Sequence, residues 1–468
     1  MKFHLECVED GTGRPRQFVF DNMDHCVVDE SGRVLEFKEL FGRDLPARLN
    51  RHESTLAVAS ETKDAKERLC ISLAENRPPT AFPFSRHNPL QGKSRRISKL
   101  KIQLGFACNY RCRYCLQAAD RNRQEAQPNI DDINRFFEMF DAAGAAPHPD
   151  GLIDLWGGEP LVYGKLLKVL IPMLREHWGE KTVISLFTNG VLLDRSMSDF
   201  LLEHCVKVSI SHDGTGFTLR HPQDPLDNEE IRAQWLYLFE KSREKEIPMA
   251  FFSVINPLNC DLFEQRQFFW ERFAQDVSFA FGGAAAEFGN LPSDCLLGEK
   301  AANTLRDSVL RAVVTEPGLW PGIERRILNL LGRFVHHTPS SQISYHCNAA
   351  DPRVLCVNLK GDVLSCQNRA APDFSIGHLT QYESISNKLF SHWSVRPQCP
   401  QCLVLGACKG GCPDLTDAQQ ARCCTNDFAF HYAFFYAVWY LLTGTFIQKP
   451  TPSFPIFSFD KRLSIYAR

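Results

Sequence analysis

Twelve of the eighteen cysteines of this 468-residue chain fall into two fields. Cys108, Cys112 and Cys115 form the first; Cys347, Cys356, Cys366, Cys399, Cys402, Cys408, Cys412, Cys423 and Cys424 form the second. Thiols at such spacings either pair as disulfides or hold metal, and the choice follows the redox compartment. The N-terminus MKFHLECVED has acidic residues and no apolar core, so it does not read as a secretory signal and a cytoplasmic location is expected. Metal ligation is then the better use of the clustered thiols. Cys7, Cys26, Cys70, Cys205, Cys260 and Cys295 are scattered and read as apolar or surface residues without a catalytic role.

The length suits two to four domains by the usual domain size, on the order of 100–200 residues each. Lys and Arg total 53 against 55 Asp and Glu, so global charge offers no reason to expect a nucleic acid or an acidic membrane as partner. Residues 1–96 hold short apolar runs such as HCVVDESGRVLEF, with a turn expected at Asp29–Gly32, then a polar, helical stretch around 60–75 and a Pro-rich, basic linker. From Lys101 the runs KIQLGF, LIDLW, VISLF, VKVSI, MAFFSVI and VSFAFGG alternate with stretches long enough for helices. This rhythm predicts an α/β fold, a partial β/α barrel over residues 97–338. A cysteine-rich, two-cluster extension is expected over 339–426, its loops fixed by metal because its apolar core is small. Residues 427–468 hold the aromatic stretch FAFHYAFFYAVWYLLTGTFI, close to membrane-span length, whose His431, tyrosines and threonines favour a buried helix over a membrane span.

CNYRCRYC places three thiolates as C-x3-C-x2-C after an apolar strand, enough to hold three corners of a cubane and leave one iron open. A zinc knot borrowing a fourth ligand is the structural rival. WGGEP follows the next strand, TNG (Thr188, Asn189, Gly190) the one after, and SHDG (Ser211 to Gly214) the fourth. Read alone, Asn-Gly and Asp-Gly are common turn pairs.

Together these residues resemble the radical S-adenosylmethionine superfamily, including the aromatic residue before the third cysteine, Tyr114. The resemblance implies a 4Fe-4S cluster on Cys108, Cys112 and Cys115 that donates an electron to S-adenosyl-L-methionine, giving a 5'-deoxyadenosyl radical that abstracts hydrogen from a substrate. It further implies that Gly157, Gly158, Glu159 and Pro160 meet the methionine amino group. Ser211 is matched to the carboxylate or ribose, Asn189 and Asp213 to support of the cofactor, and Arg232 to the carboxylate, although the setting LDNEEIRAQ also fits a plain surface helix.

The second cysteine field is similar to the SPASM extension of such enzymes. The resemblance assigns Cys399, Cys402, Cys408 and one of Cys423 or Cys424 to a distal auxiliary cluster. Cys347, Cys366 and Cys412 go to a nearer one, with Cys356 as candidate fourth ligand, for three 4Fe-4S clusters in all. Two zinc sites are the rival reading. KGDVLSC predicts a hairpin approach to Cys366 through Gly361 and Asp362. Sulfatase-maturing relatives carry an acid after the cysteine matching Cys366, where this chain has Gln367, so formylglycine formation is disfavoured. The expected substrate is a ribosomally synthesised precursor peptide, gripped in part by residues 1–96. The expected reductant is a low-potential flavodoxin or ferredoxin. A small metabolite as substrate, or a non-enzymatic electron-transfer or binding role, are the alternatives.

Overall fold

The computed structural model describes residues 1–37, 92–118, 120, 127–277, 279–284, 291–316, 320–343, 346–347, 351–386 and 392–451. The helix expected at 60–75 and most of the Pro-rich linker lie outside them.

The chain opens with an antiparallel meander of β1 (Lys2–Glu9), β2 (Pro15–Asp21) and β3 (Cys26–Asp29). In β1, Phe3, Leu5 and Cys7 are buried while Lys2, His4 and Glu6 face solvent, the period-two pattern of a strand with one dry face. The expected turn follows β3. Asp29 Oδ1 accepts from the amides of Ser31 and Arg33, and the chain returns to bridge Val34 with Val28. The free edge of β1 is covered from the far end of the chain by β13 (Thr445–Thr451), antiparallel, with Cys7 opposite Ile447.

The second sheet has nine strands in the order β12-β11-β10-β4-β5-β6-β7-β8-β9. Its parallel run comprises β4 (Arg96–Gln103), β5 (Ala146–Trp156), β6 (Val183–Thr188), β7 (Lys207–Ser211), β8 (Met249–Ile255) and β9 (Phe279–Ala284). Each strand lies beside its predecessor in sequence. The crossovers hold α1 (Ile130–Ala143), α2 (Gly164–Trp178), α3 (Arg195–Glu203), α4 (Glu229–Glu244) and α5 (Leu262–Phe273). Local chemistry starts most of these helices. Asn129 and Asp132 form a capping box for α1, and Asp194, Asn228 and Asp261 accept from first-turn amides of α3, α4 and α5.

The cysteine-rich segment does not stand apart from this sheet. Its β10 (Val354–Asn358) pairs in parallel with β4, placing Cys356 opposite Lys101, and β11 (Asp362–Leu364) and β12 (Ser375–His378) continue antiparallel. The hairpin expected at Gly361 joins β10 to β11, with Asn358 Oδ1 accepting from the amides of Lys360 and Asp362. Among the described residues the edge strands β9 and β12 do not pair with each other, so the sheet is mixed and open rather than a closed barrel.

Helices α6 (Glu299–Thr315), α7 (Pro321–Val335) and α8 (Asp417–Thr443) pack with the N-terminal sheet into one core. Residues 428–442 of α8 are all buried, the signature of a helix that is apolar on every side because protein surrounds it. Phe20 stacks on Phe334 at 5.3 Å, Phe435 lies 5.4 Å from Phe20, and Trp439 meets Phe18 edge-on at 5.4 Å. Tyr440 donates its hydroxyl to buried Asp10 at 2.6 Å. Among the described residues no helix is long and apolar enough to cross a membrane. Trp439→Ala removes a fully buried ring from this junction and is expected to cost about 3–5 kcal/mol. Urea unfolding followed by far-UV circular dichroism checks this, and an unmoved midpoint would refute the central role of α8.

Candidate active site

Every predicted motif of the first field sits just beyond the end of a parallel strand, where loops converge. The loop after β4 carries Cys108, Cys112 and Cys115, that after β5 carries Gly157–Glu159, and β6 and β7 end on Thr188 and Ser211. A cavity of about 460 Å³ opens between them, lined by all three cysteines, Tyr114, Gly157, Gly158, Glu159, Thr188, Asn189 and Ser211. Trp156, Phe187 and Phe252 form an aromatic floor, with Trp156 and Phe187 stacked at 4.6 Å and Phe252 edge-on to Phe187 at 5.8 Å.

Backbone contacts clamp the β5 loop onto the cysteine loop. The amide of Gly158 donates to the carbonyl of Gly105, and that of Glu159 to the carbonyl of Ala107, both at 2.8 Å. A Cβ on Gly158 would fall inside contact distance of the carbonyl oxygens of Phe106 and Ala107, so only glycine permits this approach. Gly105 adopts φ +136°, and a Cβ there would strike the Tyr163 hydroxyl, which accepts from the Ala107 amide at 3.0 Å.

Glu159 is buried and its carboxylate joins the ends of β5 and β6. Oε1 accepts from the Leu161 amide at 2.9 Å and the Thr188 hydroxyl at 2.5 Å, and Oε2 accepts from the Asn189 amide at 2.6 Å. Burial pushes its carboxyl above the usual range, against the lowering by these donors. Three accepted bonds leave one of about four acceptor positions for a ligand. Asn189 donates its side-chain amide to Asn109 Oδ1 at 2.7 Å, tying the TNG turn to the cysteine loop. Pro160 is buried beneath the cavity as the first residue of the short turn Pro160–Tyr163 that Glu159 caps.

Asp213 stands behind the wall rather than in it. Fully buried, it accepts from the Tyr114 hydroxyl and from the Val254 amide at 3.0 Å, and lies 3.7 Å from Arg220. Its neighbour His212 accepts from the Gly214 amide at Nδ1, which leaves Nε2–H to donate to Asp224 at 3.0 Å. Arg232 does not reach the cavity: on α4 it donates to the carbonyl of Leu226 at 3.2 Å. Two arginines do, Arg326 of α7 and Arg220; Arg220 donates to the Tyr114 hydroxyl at 3.0 Å, and its Nε is buried with no partner among the described residues. It lies in an irregular turn after SHDG, where no periodicity marks a position. Trp156 and Phe187 were findable as the residues at predicted strand ends. Trp156 also presents a buried Nε1–H without a partner among the described residues.

The second field folds around Arg396, a residue that sequence reasoning passed over. It is 1% exposed and donates to the carbonyls of Gly410, of Cys412 at 2.9 Å and of Leu415 at 3.0 Å. Around it the thiols sort into two neighbourhoods. Burial, then the fields of Cys356, Cys347 and Cys412, push the Cys366 thiol up. Burial, then Asp427, Cys402, Cys424 and Cys399, do the same for Cys408. Cys412 and Gln367 line the main cavity, so the first of these neighbourhoods borders it. The side chain of Cys423 falls outside the described residues. Among the described residues no three His, Cys, Asp or Glu side chains close around one point as the ligands of a single ion do.

Residues 102–259 match the Radical SAM superfamily. The chain is 23% identical over 180 residues to the radical SAM cyclopropyl synthase TigE of Paramaledivibacter caminithermalis, covering 36% of this chain and 37% of that protein. It thus spans little more than a third of that relative's length. It is 23% identical over 353 residues to the serine-type anaerobic sulfatase-maturating enzyme of Klebsiella aerogenes, covering 70% and 82% of the two chains. The solved structure of anSMEcpe with bound AdoMet superposes with a TM-score of 0.53 at 19% identity, over 74% of this chain and 95% of that one.

Gly158→Ala should push the β5 loop off the cysteine loop. Anaerobic reconstitution is expected to give loss of S-adenosylmethionine binding by equilibrium dialysis, with secondary structure retained. Binding equal to wild type would show that the clamp does not shape the site.

Proposed function

We propose that this chain, a radical SAM enzyme with a SPASM-like C-terminal extension, binds S-adenosyl-L-methionine in the strand-end cavity and modifies a ribosomally synthesised peptide. The observation that carries the reading is the convergence of Cys108, Cys112, Cys115, Glu159, Asn189 and Ser211 on one cavity wall. The residues fit the cofactors: three thiols on one loop leave an iron position open toward the cavity, and a buried carboxylate with spare acceptor capacity suits an ammonium group. When bound, the cluster on Cys108, Cys112 and Cys115 supplies one electron to the sulfonium cofactor and so starts hydrogen abstraction from the substrate.

The protein's own part is positioning. Glu159 takes the ammonium at its free acceptor position, and the Ser211 hydroxyl donates to the carboxylate or ribose. Arg220, rather than Arg232, supplies the positive charge for that carboxylate, because Arg220 lines the cavity and Arg232 does not, while the cavity's other arginine, Arg326, donates to the carbonyls of Phe281 and Gly282. Tyr114 and Asp213 hold Arg220 in place. The floor of Trp156, Phe187 and Phe252 excludes water from the reactive carbon.

Two auxiliary 4Fe-4S clusters complete the reading. The nearer is held by Cys347, Cys356, Cys366 and Cys412, and the distal by Cys399, Cys402, Cys408 and Cys424. Each thiol of a cubane binds its own iron, so the four stand further apart than the ligands of one zinc ion. A low-potential flavodoxin or ferredoxin delivers the electrons. A peptide substrate is supported by anSMEcpe, whose structure with a bound Cp18Cys peptide shares this fold. Sulfatase maturation is not proposed: Gln367 cannot take a proton as a carboxylate would, and its amide oxygen already accepts from Lys101 at 3.0 Å.

Anaerobic reconstitution should load about twelve irons per chain, four for each of three cubanes. A Cys108→Ala, Cys112→Ala, Cys115→Ala variant should keep about two-thirds of that iron and make no 5'-deoxyadenosine. Saturation of active wild type near four irons would remove the auxiliary clusters, and undiminished 5'-deoxyadenosine from the variant would remove the radical site.

A further inference from the structure

A second cavity, of about 600 Å³, shares Gly282, Arg326, His346 and His431 with the first. Five cations from three parts of the fold line it: Lys99 and Lys101 from β4, Arg326 and Arg333 from α7, and Lys409 from the cysteine field. Its described lining holds no Asp or Glu. We propose that this cavity is a subsite for a carboxylate of the substrate, so that the peptide carries an acidic residue beside the position that is modified. The inference rests on the peptide reading above and adds the chemistry by which the peptide is recognised.

Three of the five cations are engaged. Lys99 pairs with Asp154 at 2.6 Å, Lys101 donates to the neutral amide of Gln367, and Arg326 donates to the carbonyls of Phe281 and Gly282 at 3.0 and 2.8 Å. Arg333 and Lys409 have no side-chain hydrogen bond or ion pair among the described residues. Lys409 is fixed by its backbone in the left-handed region, φ +56°, where its amide donates to the Leu405 carbonyl at 2.8 Å. A non-glycine residue is held there at a cost in free energy, so the packing imposes this backbone conformation. Burial lowers the proton affinity of Arg333, and no nearby anion offsets it.

One competing explanation is that these cations merely neutralise the thiolates of the nearer cluster. It accounts for Lys101, which feels Cys356, Cys366 and Cys347, and in part for Lys409, which feels Cys347, a thiol in the same lining. It does not account for Arg333, on which no cysteine field acts. The position of Arg333 in the last turn of α7 favours a cation, yet leaves its donors unpaired among the described residues. A carboxylate between Arg333 and Lys409 would satisfy both, with the amide of Asn329 in the same wall.

The test uses the full, iron-loaded chain under anaerobic conditions. Its probes are the blocked tripeptide acetyl-Ala-Glu-Ala-amide, its Gln counterpart and inorganic phosphate, titrated calorimetrically. Wild type should prefer the Glu peptide by roughly ten-fold, and the preference should shrink as salt rises from about 50 to about 500 mM. Arg333→Gln with Lys409→Gln should abolish it, while Arg333→Lys alone should keep most of it. Equal binding of the two peptides by wild type overturns the proposal, as does a preference that survives the double substitution. Phosphate binding without a Glu preference overturns the carboxylate in favour of a phosphorylated substrate. Loss of iron in the double variant with the preference unchanged would assign these cations to the cluster alone. S-adenosylmethionine cleavage by wild type without peptide separates the two readings: its absence beside an intact Glu preference sinks the radical reading and leaves the subsite. Cleavage without any preference sinks the subsite only.

Discussion

The geometry of the strand-end cavity depends on how closely the β5 loop can lie against the loop that carries Cys108, Cys112 and Cys115. Two backbone hydrogen bonds of 2.8 Å draw them together, and the missing side chain of Gly158 is what lets the carbonyls of Phe106 and Ala107 come so near. Glu159 then extends the same contact sideways to β6 by accepting from Thr188 and Asn189. Burying that carboxylate costs several kcal/mol, and three hydrogen bonds to a charged group, each roughly 1.5–3 kcal/mol, offset it. The balance is close. A ligand ammonium at the remaining acceptor position would tip it further toward the folded arrangement.

A second dependence runs from the end of the chain to its beginning. α8 starts in the cysteine field, passes through the core shared by α6, α7 and the N-terminal meander, and delivers β13 to the open edge of β1. Because His431 on this helix lines both cavities and Phe430 lines the first, the same helix that packs against the N-terminal sheet also forms part of the cavity walls. Any change in the cysteine field that shifts α8 therefore reaches the cationic cavity directly.

Local patterning carried much of what the structure displays. The strands β4 to β9 were visible as apolar runs at regular intervals, and the motifs CNYRCRYC, WGGEP, TNG and SHDG were visible at their ends, because a parallel strand feeding a helix leaves its functional loop at a set place in the sequence. The hairpin at Gly361 and the turn at Asp29–Gly32 were equally local. The buried character of α8 followed from composition: aromatic on every side, yet interrupted by His431, tyrosines and threonines in a way a membrane span is not.

What depends on residues far apart in the chain was not legible. No spacing rule pairs β10 with β4 or β13 with β1, since such pairings are decided by which edge is left free once the core has formed. Arg220 and Arg396 carry no periodicity and read like any other arginine; only the folded chain shows one facing the cavity and the other holding three loop carbonyls. Arg232 was matched by its place along the chain, while the structure turns it toward the carbonyl of Leu226. The sequence by itself determined the strand rhythm, the thiol inventory and the loops that hold them, because these depend on neighbours within a few tens of residues. Tertiary structure alone decided which cysteines share a neighbourhood, which arginines reach the cavity and which cations are left without a side-chain partner among the described residues, because those depend on distances that the sequence does not encode locally.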